Sequence, residues 1–291
     1  MTGWRLEILA TGPLATVQDR GRFGWAELGV PRSGAADGPA LALANRLVGN
    51  AADAAGVETT FGGLRVRARG RGVRYVAVTG APGAVTVDGI PAPFAAPLVL
   101  RDGTVLELGP PASGLRSYLA VRGGLDVPPV LGSRATDLLS GLGPAPLRAG
   151  DTLRVGSPPA APFPGVDAAP CSAPPGEFAL RVLPGPRDDW FPPEAVELLC
   201  AARWTATSSS NRVGIRLSGP ELRRERDGEL PAEGMVAGAL QVPPNGQPVL
   251  FLADHPVTGG YPVIAVVLGA DLPLAGQIPP GATVRFRSAR V

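Results

Sequence analysis

The sequence predicts a mainly β protein made of two pseudo-repeated β-barrel units, each carrying one short helix. Three observations lead there. Gly 40 and Pro 34 make up about a quarter of the 291 residues, and they punctuate short β-branched apolar runs, the pattern of many strands joined by tight turns. Only two stretches, near residues 39 and 193, carry helical spacing. Four features of the first half return in the same order in the second, the mark of a duplicated unit. Closing each unit into a barrel would also remove the exposed strand edges that so many strands create.

Taken in order, residues 4–17 (WRLEILATGPLATV) read as a strand, a Gly-Pro break and a second strand. Residues 18–37 (QDRGRFGWAELGVPRSGAAD) are polar and glycine-punctuated, too long for a hairpin turn and too functional for a passive linker. Asp37 stands where an N-cap belongs, with Pro39 in the first turn, and Leu41, Ala44, Leu47 and Val48 follow at helical spacing until Gly49 stops the helix. From Val57 to Gly156 the candidate strands are GLRVRA, RYVAVTG, AVTVDG, PLVLRDGTVLELG, RSYLAVRGG and GDTLRVG, with Asp88-Gly89 and Asp102-Gly103 as hairpin-type turns.

The first unit is thus expected over residues 1–157, a Pro/Ala-rich linker over 158–176, and the second unit over 177–291. The second unit repeats the plan: LRVLPGPRDDWF leads into a helix, PPEAVELLC, with Asp188 or Asp189 as N-cap and Val196, Leu199 and Cys200 on one face. A polar turn then carries Gly214-Ile215-Arg216-Leu217 into a strand, as Gly63-Leu64-Arg65-Val66 does earlier. The closing strings LRAGDTLRV and IPPGATVRF match, and SYLAVRGGLDVPPVLGSRATDL resembles LFLADHPVTGGYPVIAVVLGADL.

Bulk composition excludes several classes. A net charge of +2 with no basic stripe argues against a nucleic-acid partner. Every one of the 27 basic residues is arginine, which rules out a Schiff-base, P-loop or biotinylated lysine on this chain. Cys171 and Cys200 have no CxxC spacing and there is one histidine, so a standard zinc site is not expected. No signal-like n-region and h-region pair and no membrane-length apolar run is visible, so the expectation is a soluble cytoplasmic protein, without a membrane, holding two reduced cysteines.

The most suggestive stretch runs from Gly246 to Leu272. Two apolar runs, Val249–Ala253 and Pro262–Leu268, flank Asp254, His255, Thr258, Gly259, Gly260 and Tyr261. Paired glycines let a backbone approach a small ligand closely; a hairpin with polar tips reads equally well. Three further polar clusters stand out: Gln18, Asp19, Arg20 and Arg22 with Ser33 and Asp37; Arg187, Asp188 and Asp189 beside Trp190 and Phe191; and Asn211 with Arg212. The fourth extends from Glu233 through Gln241 and Asn245 to Asp254 and Tyr261. Each admits plain capping and turn chemistry. Corresponding loops of two similar units could also converge on one small anion, where arginine binds carboxylate or phosphate bidentately.

The strings QDRGRFGW, GVPRSGAAD, VRGGLDVPPVLGSRATDLLSG, RVLPGPRDDWF, SNRVGIRLSG, GALQVPPNGQPVLFLADHPVTGGYPVI and GQIPPGATVRF, spread over nearly the whole chain, resemble the KipA family. That family is also called allophanate hydrolase subunit 2, and it is related to biotin-dependent carboxyltransferases. The resemblance implies cyclophilin-like β-barrels and a subunit, inactive alone, of an ATP-dependent 5-oxoprolinase. It implies ATP with Mg, shared with a KipI-type partner (allophanate hydrolase subunit 1), and a third subunit of the LamB/YcsF type. Two other functions follow from it: a carboxyltransferase component of a urea or amide carboxylase, using biotin carried elsewhere, and a non-catalytic regulator of a KipI-type protein. Residue by residue, it points to Asp254, Arg212 and Tyr261 for chemistry. For substrate or nucleotide it points to Gln18, Asp19, Arg22, Ser33, Asp37, Asn211, Gln241, Asn245, Thr258, Gly259 and Gly260, with no metal ligands. His255, Pro256-Val257 and Ala232 depart from the family pattern, which bears on substrate identity and weakens His255 as a catalyst.

Overall fold

The computed structural model describes residues 3–226, 228 and 230–289. The chain divides into two compact units. The first comprises residues 1–22, 37–137 and 141–174; the second comprises 23–36, 138–140 and 175–291. The polar stretch 18–37 is therefore divided between them, with its centre, Phe23–Ala36, built into the second unit.

The first unit holds β1 (Arg5–Thr11), β2 (Leu14–Gln18), α1 (Gly38–Leu47), β3 (Gly56–Thr60), β4 (Leu64–Arg69), β5 (Val73–Gly80) and β6 (Gly83–Val87). It continues with β7 (Ile90–Ala92), β8 (Pro97–Arg101), β9 (Val105–Pro111), β10 (Arg116–Val121) and β11 (Thr152–Arg154). Two sheets form, ordered β11-β1-β4-β9-β6-β7 and β2-β3-β10-β5-β8. Their alternating inward residues, among them Leu6, Ile8, Val66 and Leu106 from one sheet and Val17, Val57, Val78 and Leu119 from the other, share one core. Helix α1 forms where its cap predicts: the Asp37 carboxylate accepts from the Ala40 N–H at 3.0 Å. The helix buries Ala44 and Leu47, with the following Val48, against Ala77 of β5 and Ala120 of β10.

Most of the Pro/Ala-rich stretch packs on the first unit. Phe163 stacks on Tyr75 at 3.9 Å between centroids, Arg122 donates to the Pro159 and Ala161 carbonyls, and the Ala169 N–H donates to the Ala95 carbonyl.

The second unit holds β12 (Glu177–Pro184), α2 (Pro193–Ala201), β13 (Trp204–Ala206), β14 (Gly214–Ser218), β15 (Glu233–Gly234) and β16 (Ala239–Gln241). It then adds β17 (Val249–Phe251), β18 (Thr258–Gly259), β19 (Val263–Val267), α3 (Leu272–Ala275) and β20 (Thr283–Ser288). Seven strands close into a barrel in the order β12-β19-β16-β17-β14-β13-β20. Every pairing is antiparallel except β12 with β20, whose parallel register runs from Glu177↔Thr283 to Val182↔Ser288.

Two local expectations change. The Gly246–Leu272 stretch is not a hairpin, because β16 lies between β17 and β19 and pairs with both. The turn between them instead yields β18, which pairs with β15 as a separate two-stranded ladder, Glu233↔Gly259 and Gly234↔Thr258. Neither Asp188 nor Asp189 caps α2: both lie in a 3-10 turn, Asp188–Trp190, and Pro192, extended at ψ 151°, precedes the helix without a side-chain cap. Burial of Trp190 and Phe191 in the core holds that turn apart from the helix.

Candidate functional site

In the first unit Gln18, Asp19 and Arg22 fold into a buried hydrogen-bonded cluster. Gln18, at the end of β2, is fully buried and donates to Thr16 Oγ1 and the Thr136 carbonyl. Asp19 Oδ1 accepts from the Gly21 N–H and from the Ser133 hydroxyl, while Oδ2 accepts from the Arg134 N–H at 2.6 Å. Arg22 donates to the Ala135 carbonyl and lies 3.7 Å from Asp137 with neither side chain exposed. The QDxGR string therefore ties the end of β2 to residues 133–137.

A second buried group in this unit carries no sequence motif. Strand register sets Thr16, Glu58, Tyr118 and Thr79 in one row across β2, β3, β10 and β5. The Tyr118 hydroxyl donates to Glu58 Oε2 at 2.9 Å and accepts from the Asp37 N–H at 2.8 Å. Arg116 approaches Glu58 Oε1 at 3.4 Å. Burial, and then the Glu58 charge, push the Tyr118 phenol well above its usual range. The only sign of it in the sequence is a lone acid inside a short strand with no other charge, GVETT, away from any turn.

In the second unit Arg212 and Asp254 form a bidentate pair, Nε to Oδ2 at 2.9 Å and Nη2 to Oδ1 at 3.0 Å, with neither side chain exposed. The same carboxylate accepts from the Ser33 hydroxyl at 2.6 Å and the Leu138 N–H at 3.1 Å, and Arg212 Nη2 reaches the Gly34 carbonyl at 2.6 Å. Asp254 thus uses both oxygens twice. The cluster fastens Ser33-Gly34 and Leu138, the inserted pieces of this unit, to the barrel.

The other predicted residues of this unit divide by role. Asn211 accepts from the Val213 and Gly214 N–H groups at the start of β14, and Asn245 accepts from the Gln247 N–H; both are turn-formers. Gln241, nearly buried at the end of β16, donates to the Tyr261 carbonyl at 3.0 Å and holds the Gly259-Gly260-Tyr261 backbone to the barrel. A Cβ at Gly259 would meet Gln241 Nε2 at 2.6 Å, so a side chain there would displace the Gln241 amide. Thr258 is exposed beside it. His255 is buried, its Nδ1 2.8 Å from the Pro256 carbonyl, so it donates locally.

One pairing joins two clusters that the sequence left separate. Arg187, after β12, donates through Nε to Glu233 Oε1 at 2.8 Å and Oε2 at 3.1 Å, and through Nη2 to Oε1. Glu233 stands opposite Gly259 in the β15–β18 ladder. The mutual hydrogen bonds hold the Glu233 carboxyl below, and the Arg187 guanidinium above, their ordinary values. Among the described residues no three His, Cys, Asp or Glu side chains come together as a metal set. Among them, too, no helix is long and apolar enough to cross a membrane.

The comparisons with known proteins agree with this architecture. A family model for the carboxyltransferase domain, subdomains A and B, matches residues 28–288. The chain is 39% identical over 284 residues to the C subunit of 5-oxoprolinase from Escherichia coli strain K12, covering 97% of this chain and 90% of that one. It is 33% identical to urea amidolyase of Saccharomyces cerevisiae, but over only 16% of that protein. Among solved structures, that of TTHA0988 superposes with a TM-score of 0.88 at 38% identity, covering 99% of this chain and 56% of that one. The Kluyveromyces lactis urea carboxylase does so with a TM-score of 0.89 at 31% identity, covering 98% of this chain and 27% of that one. This chain thus spans about half of the first solved structure and about a quarter of the second.

Proposed function

The chain belongs to the carboxyltransferase subdomain A and B family, and from that premise we propose that it is the C subunit of a cytoplasmic ATP-dependent 5-oxoprolinase. The reaction is 5-oxoproline, ATP and water to glutamate, ADP and phosphate. The observation that carries this choice is the extent of the match: 90% of a 5-oxoprolinase subunit, against 16% of a urea amidolyase.

A lactam is a poor electrophile, and phosphorylation by ATP would activate it for attack by water. In this reading the chain acts with a KipI-type partner in phosphorylation, a LamB/YcsF-type protein completes ring opening, and the chain is inactive alone. The chain's own donor set is arginine-rich and contains no carboxylate cluster among the described residues. It therefore fits an anion better than a metal ion, and we assign no step to magnesium on this chain. Arg212 and Asp254 act by position, because their hydrogen-bonding groups are committed to each other, Ser33, Gly34 and Leu138. They fix the loop that leads to Thr258, Gly259, Gly260 and Tyr261, the surface proposed to meet the substrate. In the first unit, Gln18, Asp19, Arg22 and Asp37 would fix the corresponding lining.

The solved urea carboxylase of similar fold supports a second reading, a carboxyltransferase acting on urea or a related amide. Biotin would have to arrive on another chain or domain, since no lysine is present here. Co-expression with the partner subunits, followed by assay of ATP-dependent glutamate release from 5-oxoproline, separates the two. Turnover supports the 5-oxoprolinase. Its absence, together with biotin-dependent carboxylation of urea, supports the second reading, and inert binding to a partner supports a regulator. Complexes carrying Asp254→Asn or Arg212→Ala are expected to lose turnover, and wild-type turnover in both would refute the role given to that pair.

A further inference from the structure

The arm that carries Glu233 rests on the Asp188–Trp190 turn through polar contacts at its surface. The Glu225 N–H donates to the Trp190 carbonyl at 2.9 Å, Arg226 meets Asp189 at 3.0 Å, and Arg187 forks onto Glu233. Where the arm reaches the barrel, its regular structure is the two-residue ladder of β15 with β18. So short a ladder is marginal without side-chain support. The Arg187 and Glu233 side chains are 37% and 24% exposed. An ion pair in contact with solvent contributes little and exchanges readily. A planar guanidinium engaging both carboxylate oxygens is also the arrangement by which arginine recognises a free carboxylate ligand.

We propose that Arg187 is an exchangeable carboxylate receptor, occupied by Glu233 in the free chain. A small-molecule carboxylate displaces Glu233 and lies on the guanidinium beside Gly259. The identity of that carboxylate as 5-oxoproline rests on the function proposed above; the receptor itself rests on the fork. Displacement releases Glu233 and loosens β15 from its pin, so ligand entry and loosening of the β15–β18 ladder are one event. Gly259 suits this place because it stands opposite Glu233 and adds no side chain between the arm and Gln241.

The test follows the Arg187 Nε–H resonance in the full chain during titration with 5-oxoproline, with acetate, and with 2-pyrrolidinone, which keeps the lactam and lacks the carboxylate. Saturable shifts are expected with 5-oxoproline and acetate and none with the lactam. Glu233→Gln, and independently Glu233→Ala, should tighten carboxylate binding about fivefold by removing the internal competitor. Arg187→Met, followed through the Gly259 amide, should abolish it. Equal affinity in the wild type and both Glu233 variants overturns the receptor, as does an Arg187 response to 2-pyrrolidinone equal to that with 5-oxoproline. Acetate binding that tightens in the Glu233 variants, with no 5-oxoproline binding, keeps the receptor and overturns the substrate reading.

Discussion

Two arginine–carboxylate pairs of the second unit, Arg212–Asp254 and Arg187–Glu233, each engage both carboxylate oxygens and differ in setting. Arg212–Asp254 has neither side chain exposed, and its carboxylate also accepts from Ser33 and Leu138. Arg187–Glu233 has side chains 37% and 24% exposed and joins a surface turn to a two-residue ladder. Removing one partner of the first would strand a charge where water cannot reach it, whereas both partners of the second can be rehydrated. The buried fork is therefore suited to architecture and the solvated one to exchange. A charged motif in a sequence indicates a partner; burial decides whether that partner is the protein or a ligand.

The largest effect should come from breaking the buried fork on one side. Asp254→Ala strips Arg212 of its carboxylate and is expected to lower unfolding free energy by roughly 3 to 5 kcal/mol, read by chemical denaturation. Replacing both partners with apolar residues of similar size should recover much of that loss. A single-variant cost under about 1 kcal/mol would place the two forks in the same class.

The Glu58–Tyr118 pair extends the comparison to a buried acid in the first unit that is held by a phenol. Tyr118→Phe removes a donor to Glu58 and an acceptor for the Asp37 N–H, and should cost about 1 to 3 kcal/mol. The phenol's folded value lies above its ordinary 10.0. The neutral phenol therefore contributes stability that is complete below the ordinary value and lost as pH rises through the raised one. Denaturation midpoints measured across alkaline pH should fall more steeply for the wild type than for Tyr118→Phe.

The smallest effects belong to the solvated fork. Glu233→Gln should leave the denaturation midpoint close to wild type, while trypsin cleavage at Arg223, Arg224 and Arg226 of the arm rises about fivefold. Arg187 holds the Glu233 carboxyl below its ordinary value of 4.5. The fork is accordingly intact above that value and released as pH falls through the lowered one, which the Arg187 Nε–H resonance should report. A midpoint loss as large as that of Asp254→Ala would show the exposed fork to be structural.

What could be read in advance was local. Asp37 and Gly49 bracket α1, Asp88-Gly89 turns β6 into β7, and the β-branched run near 263–267 is β19. Strand order was hidden, because the insertion of β16 between β17 and β19 depends on barrel closure rather than on neighbouring residues. The polar motifs were visible, but their partners were not. Ser33 meets Asp254 across 221 positions, and Arg187 meets Glu233 across 46. No local pattern encodes a pairing at that separation. Glu58 escaped altogether, since its partner, Tyr118, lies 60 positions away on a neighbouring strand.

The most direct measurement is the dependence of ATP-driven glutamate release on 5-oxoproline concentration, for complexes assembled with wild-type chain and with Glu233→Gln. Release by both is expected, with KM lower by about fivefold in the variant and kcat little changed. Release with an unchanged KM would contradict the exchangeable fork, and no ATP-dependent release from either complex would contradict the 5-oxoprolinase function itself.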